Sequence, residues 1–202
     1  MLNSLSPMSR GLAAGFSALE LLIVLAIAGC IAAISIPASA NMVDEFRLSG
    51  DAHGVSNSVA LARMDAAANF TRARVFADLS ANTFRIERWN KTANAWQATS
   101  GTSPLASLDV FGSGAIATPP PNSQDVVAGP PACLDAAAAA IANTACVLFN
   151  SRGLPIDNNG APAAAAVFYL TGPTAVYGVV VSSTSQLAMW RIPPAGDTWA
   201  QQ

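Results

Sequence analysis

Few residues of this chain are spaced to do covalent chemistry. His53, the one histidine, follows Asp51 closely, but no nucleophile, base and orienting acid form a usable arrangement around it. On a helix the pair reads as a solvated face, and no enzymatic activity is expected. Phosphate-binding glycine motifs are absent too. Metal chemistry lacks ligands: besides His53 there are three cysteines, Cys30, Cys133 and Cys146, and no Cys-x-x-Cys. Asp157-Asn158-Asn159-Gly160 offers oxygens to a cation, but only one carboxylate and no acidic ligand following it. Asn-Gly supplies the positive φ of a tight turn, so a turn is expected there and no cofactor. Glu20 is different. It heads residues 21–36, sixteen positions without a charge, and a membrane carboxylate costs on the order of 2.5 to 3.5 kcal/mol at a helix centre, less near an end. It should have a partner or a function.

The elements that carry these residues follow from composition. Of 202 residues 52% are hydrophobic and 11% charged, against about 25% charged in ordinary globular chains. An apolar span and an Ala-rich body together account for the difference. Disorder throughout is excluded, and the length suits one domain with an appendage. Ten Lys and Arg against twelve Asp and Glu, a net charge of -2, argue against a general nucleic-acid binder. A helix over residues 16–36 would be about 32 Å long, close to the roughly 30 Å of a bilayer's hydrocarbon. Three readings of this segment compete. A secretory signal peptide would use Arg10, the apolar run and a cleavage site at Ala38-Ser39-Ala40, although the run is long for one and Glu20 opens it. A plain signal anchor leaves Glu20 without a role. The third reading takes in the most residues.

Gly15-Phe16-Ser17-Ala18-Leu19-Glu20, followed by an unbroken apolar helix, resembles the class III leader of type IV pilins and of the pseudopilins of type II secretion systems. The resemblance implies that a prepilin peptidase cuts between Gly15 and Phe16 and N-methylates Phe16. It implies that Glu20, fifth in the mature chain, meets the terminal amine of Phe16 on a neighbouring subunit, and that Pro37 bends the helix. Pro37 has a physical reason to do so: it removes one helix hydrogen bond and clashes with the carbonyl of Ala33. Cys30, inside the apolar run, reads as a small hydrophobe.

Beyond the span, residues 41 to about 69 are helix-permissive, with Val43, Phe46, Val55, Val59, Ala62 and Met64 in partial helical spacing and Gly50 and Gly54 weakening it. One long N-terminal helix is expected, its second half laying an apolar face on a globular head. The period then changes to two. Residues 74–77 and 83–89 read as strands about a turn, with Phe84, Ile86 and Arg88 on one face and Arg85, Glu87 and Trp89 on the other. Residues 90–95 close another hairpin onto Trp96. Residues 99–132, rich in Gly, Ser and Pro, are expected to be loop with at most a short strand at 108–111. Asp135 is expected to cap a brief helix over 136–142. Strands return at 146–150, 165–170, 175–181 and 187–192. A helix followed by antiparallel strands makes an α+β fold, here a long N-terminal helix on an antiparallel sheet.

Leu61-Ala62-Arg63-Met64-Asp65-Ala66-Ala67, the strand pair after it, and Val147-Leu148-Phe149-Asn150-Ser151-Arg152-Gly153-Leu154-Pro155 resemble the H-type (GspH) minor pseudopilins and FimT-type minor pilins, over most of the chain. The resemblance implies a leader over residues 1–15, a transmembrane and filament-core helix over 16–40, and an extracytoplasmic head over 41–202. It implies a single-pass protein of a bacterial inner membrane, with its head in the periplasm or on the assembled filament. The expected function is structural: a minor pseudopilin assembled into a periplasmic pseudopilus for type II secretion, or alternatively a minor type IV pilin in pilus assembly or DNA uptake. Expected partners are prepilin peptidase, other pseudopilins or pilins and the inner membrane; nucleic acid is not expected. Some FimT-like pilins bind single-stranded DNA through a C-terminal Gly-Arg-x-Arg, where this chain has Ser185-Gln186-Leu187-Ala188-Met189-Trp190-Arg191, with one arginine and no glycine. Arg72, Arg74, Arg85, Arg88 and Lys91 could still form a basic patch, with Trp89 to stack on a base, against the plainer reading of a solvated face. In the oxidising compartment implied for the head, Cys133 and Cys146 can pair. A bridge would close about a fourteen-residue loop and contribute about 3 kcal/mol in the chain-entropy model; this disulfide is expected.

Overall fold

The computed structural model describes residues 17–202, and within its one helix the side chains at 34–38 and 40 lie outside the described residues. The helix, α1, spans Ala18–Ala68 and enters both units into which the chain divides, Met1–Ala40 and Asn41–Gln202. Among the described residues no helix is long and apolar enough to cross a membrane. The apolar stretch with described side chains, residues 17–33, is itself shorter than the roughly 20 residues a span needs.

In the second unit α1 buries Leu48, Ala52, Val55, Val59, Ala62 and Ala66, each at most 1% exposed. Their spacing alternates four and three, which keeps one face toward the core. The expected face is corrected here: Val43, Phe46 and Met64 are exposed, because each residue step turns a helix by about 100° and these three lie off the stripe. Gly54 faces the Phe84 ring, which a Cβ there would meet at 3.4 Å, an ordinary contact distance. The helix ends with Phe70 at φ 48° and the Thr71 N–H donating to the Ala66 carbonyl at 3.1 Å, a closure that usually uses glycine.

Eleven strands follow, and the fold is α+β as expected. One sheet has the order β3 (Ala95–Ala98), β2 (Thr83–Asn90), β1 (Ala73–Asp78), β6 (Thr144–Phe149), β7 (Pro155–Ile156), with β4 (Ser103–Pro104) also on β2. The other runs β11 (Ala200–Gln201), β10 (Leu187–Ile192), β9 (Val176–Val181), β8 (Ala166–Thr171), β5 (Val110–Phe111). Pairing is antiparallel, with Val75 opposite both Ile86 and Val147. Period-two alternation sends Val75, Phe84, Ile86, Val147 and Phe149 of the first sheet, and Phe168, Leu170, Tyr177, Val179 and Val181 of the second, into one core with the α1 stripe. The helix is therefore the shared floor of both sheets.

Each outer face has its own cover. The Pro-rich segment expected as loop crosses the second sheet, where Ile116 joins Val167, Tyr169, Val176, Val180, Ile192 and Trp199 in a separate core. Trp199 Nε1 donates to the Thr118 carbonyl at 2.9 Å, and a Cβ at Gly178 would lie 2.9 Å from Pro120, so that glycine admits the cover. On the first sheet, Phe76, Cys133 and Cys146 cluster with Ile141 against them. No helix forms over 136–142. Asp135 Oδ1 accepts the Ala137 and Ala139 N–H groups, both at 2.8 Å, Ala138 has φ 63°, and Leu134 bridges Ala140. The side chain expected to start a helix instead folds a tight turn, which pairing of Ile141 N–H with the Cys133 carbonyl at 2.8 Å closes.

Candidate functional site

Of the residues expected to serve processing and assembly, Gly15 and Phe16 lie outside the described residues, and Pro37 lies within α1 with its side chain outside them. Glu20 is described, and it does something local. Ser17 Oγ accepts the Glu20 N–H at 3.2 Å, while Glu20 Oε2 accepts the Ser17 N–H at 3.5 Å. This is a capping box, satisfying two donors that a helix start leaves open. The Ser-x-x-Glu spacing was the signal for it in the sequence. From here the apolar side chains of Leu19, Leu21, Leu22, Ile23, Val24, Leu25, Ile27 and Ile31 radiate in all directions, between 52% and 69% exposed. Cys30 is exposed and unbonded.

In the head, Cys133 and Cys146 are disulfide-bonded, with Cα atoms 5.0 Å apart. The bridge fastens the 133–141 turn to β6. Beside it Arg72, Arg74 and Arg85 gather on one face of the first sheet, Arg72 and Arg74 over the Trp96 ring and Arg74 and Arg85 over that of Phe76. Arg74, 3% exposed, donates from Nε to Glu87 Oε2 at 2.7 Å and from a terminal nitrogen to the Leu134 carbonyl at 2.6 Å. Burial lowers its pKa and the Glu87 charge opposes that. Arg85 takes the other Glu87 oxygen at 2.6 Å, Arg88 pairs across the opposite face with Asp65 on α1 at 3.0 Å, and Lys91 donates to the Phe70 carbonyl at 2.8 Å. Arg72 stacks over Trp89 at 4.8 Å, and Trp89 meets the Trp96 ring at 5.2 Å. Trp89 thus holds a cation of its own chain.

Arg191, the arginine of the C-terminal stretch, makes a fork with Glu45 on α1, at 2.6 and 3.1 Å. Thr174 and Tyr177 donate to the same carboxylate at 2.8 and 3.1 Å. Arg191 first, then these hydroxyls, hold Glu45 below the usual carboxylate range against the opposing effect of burial. The Ser151-Arg152-Gly153 turn has a comparable duty. At φ 72°, Gly153 lies against Arg63, where a Cβ would come within 3.0 Å. Arg63 donates to the Ser185 carbonyl and Ser185 Oγ to the Gly153 carbonyl, at 3.1 and 2.6 Å. One acidic pair was missed by the sequence reading: Asp109, buried on the crossover between the sheets, faces Asp51 of α1.

His53 is exposed on α1. A hollow of about 340 Å³ between α1 and the start of β10, and another of about 290 Å³ beside β7, are lined without it. Among the described residues no cluster of three or more His, Cys, Asp or Glu could hold a metal. Asp157 folds the expected turn, its Oδ1 accepting the Asn159 and Ala161 N–H groups at 2.9 and 2.8 Å, with Gly160 at φ 86°. No protein-family model, curated protein or solved structure matches the chain.

Proposed function

We propose that this chain is a prepilin-like structural subunit, cleaved between Gly15 and Phe16, held in the inner membrane by its N-terminal helix and assembled as a minor pseudopilin of a type II secretion system. The observation that carries the reading is the Gly15-Phe16 junction with Glu20 four residues on, leading into a helix whose apolar side chains are exposed among the described residues. Such a helix needs an apolar surround. Lipid supplies it before assembly and neighbouring helices supply it afterwards. Glu20 then has two successive duties, capping its own helix and meeting the methylated amine of Phe16 on another subunit. Arg191 is engaged by Glu45, Arg74 and Arg85 by Glu87, and Arg88 by Asp65, which leaves these arginines less free for phosphate and disfavours a nucleic-acid role.

The test is the N-terminus and intact mass of the protein recovered from its native membrane. A chain of 187 residues beginning at methylated Phe16, the 202 of the sequence less the fifteen of the leader, is the expected result. A chain beginning at Asn41 would overturn it, since that is the product of conventional signal cleavage. Glu20→Gln keeps an acceptor for the Ser17 amide but loses the charge, so membrane insertion should persist while assembly fails. Normal secretion in that variant would remove the register role.

A further inference from the structure

The crossover from β4 to β5 is held against α1 by an acidic contact remote in sequence from the motif at residues 15–20. Its turn is closed by the Asp109 N–H donating to the Ala106 carbonyl at 2.9 Å. The Ala106 N–H donates to Asp51 Oδ2 at 2.7 Å, and the Asp109 carboxyl faces the Asp51 carboxyl within hydrogen-bonding reach. Asp109 is 3% exposed, and its Oδ2 is buried without a partner. Its Oδ1 lies so close under Gly172 that a Cβ there would be 2.6 Å away. The charged groups around it are Asp51, Asp44 and Arg47, all on α1. The turn between β8 and β9, Gly172-Pro173-Thr174-Ala175, brings no titratable side chain. A buried carboxyl facing two acids and one cation cannot cheaply keep a charge.

We propose that a proton shared between Asp51 and Asp109 latches the β4–β5 crossover onto α1, so that the latch is tight in acid and loosens as the pH rises to neutrality. Burial first, and then Asp51, push Asp109 up to about 7. In an opened, hydrated crossover the same carboxyl would titrate near its ordinary value of about 3.9. The sign follows. Below both values the proton is present in either form and closure keeps its full advantage. Between them closure loses about tenfold for each pH unit, and above the upper value the loss levels off. Opening would free the Ala106 and Asp109 amides, and that of Phe111, which donates to Asn82 Oδ1 at 3.0 Å. It would also lift Leu105 from the main core.

Hydrogen exchange of peptides spanning residues 105–111, on the full chain in detergent micelles and corrected for intrinsic rates, reads the latch directly. Wild-type protection should fall about 100-fold between about pH 5 and pH 7 and stay level beyond. Asp109→Asn places a non-titrating donor against Asp51 and should keep protection constant over that range. Asp51→Asn leaves burial acting on Asp109, so the fall in protection should be smaller and begin at a lower pH, and this variant serves if the first folds poorly. On the wild type alone, infrared spectra should show a protonated carboxyl at about pH 5 that is gone by about pH 8. Flat wild-type protection, or no such carboxyl in acid, would overturn the proposal. So would recovery of protection at pH 8 on adding calcium, since a cation rather than a proton would then bridge the pair.

Discussion

Between Leu19 and Ile31, α1 carries eight large apolar side chains that are all more than half exposed, whereas between Leu48 and Ala66 it carries six apolar side chains that are at most 1% exposed. The difference is geometric before it is functional. In the rear half, Ala and Val occupy one stripe, and Asp51, His53 and Arg63 take other positions, so one face can be sealed by two sheets of the same chain. The front half has no polar side, and no single sheet can wrap a cylinder. One half is finished by folding, and the other is left uncovered among the described residues.

The sharpest way to break this comparison is to put one carboxylate into each half. Val59→Asp buries a charge in the sealed stripe and should cost about 3 to 5 kcal/mol, enough to unfold the head of a marginal protein; thermal unfolding in detergent measures it. Ile27→Asp should leave that transition within about 2 °C of wild type, while membrane insertion becomes less favourable by about 3 kcal/mol, read by fractionation. Next in size, replacing Cys133 and Cys146 together by serine should cost about 3 kcal/mol in a denaturant titration. The front half, outside that closed loop, should be unaffected. Glu45→Gln should cost about 1 kcal/mol at neutral pH, the pair being partly exposed. Because Arg191 holds the Glu45 pKa below its ordinary value, that stabilisation is present above the unfolded pKa and disappears as the pH falls through the folded one. Asp109, on the β4–β5 crossover, works in the opposite sense, so stability curves for the two variants should diverge with opposite slopes. Smallest of all, Phe70→Gly should raise stability by about 1 kcal/mol, since glycine takes φ 48° without the penalty a Cβ brings. Loss of stability there would mean that the exposed ring has an intramolecular role.

Much of the fold was legible because side-chain period is a strong signal. Phe84, Ile86 and Arg88 do share the helix-facing side of β2, with Arg88 reaching Asp65 on α1, while Arg85 and Glu87 pair on the other. The disulfide was legible because the head carries two cysteines and the compartment that the resemblance implies lets them pair. Residues whose meaning depends on distant partners were not. Pro120 and Ile116 read as loop because proline and glycine punctuate; that they cover an apolar sheet face depends on Gly178 and Trp199 some sixty to eighty positions later. Asp51 and Asp109 are ordinary acids until the crossover brings them together. Helix phase was lost for a simpler reason. Met64 and Phe46 are apolar yet exposed, while the small Ala52 and Ala66 seal the stripe, and partial spacing alone does not tell which apolar residues face the sheets. For the candidate site, the motif around Glu20 was plain, and its second use as a cap was written in Ser17 but overlooked.

The two ion pairs between α1 and the sheets have a mechanical meaning. Glu45 is bolted to β10 of one sheet and Asp65 to β2 of the other, twenty positions apart, which is about 30 Å of helix. A pull along the helix axis would load both bolts and the whole intervening stripe in shear at once, instead of peeling a single strand from its neighbour. The head should therefore yield late and abruptly under tension, as a rivet does, and not open progressively like a zip.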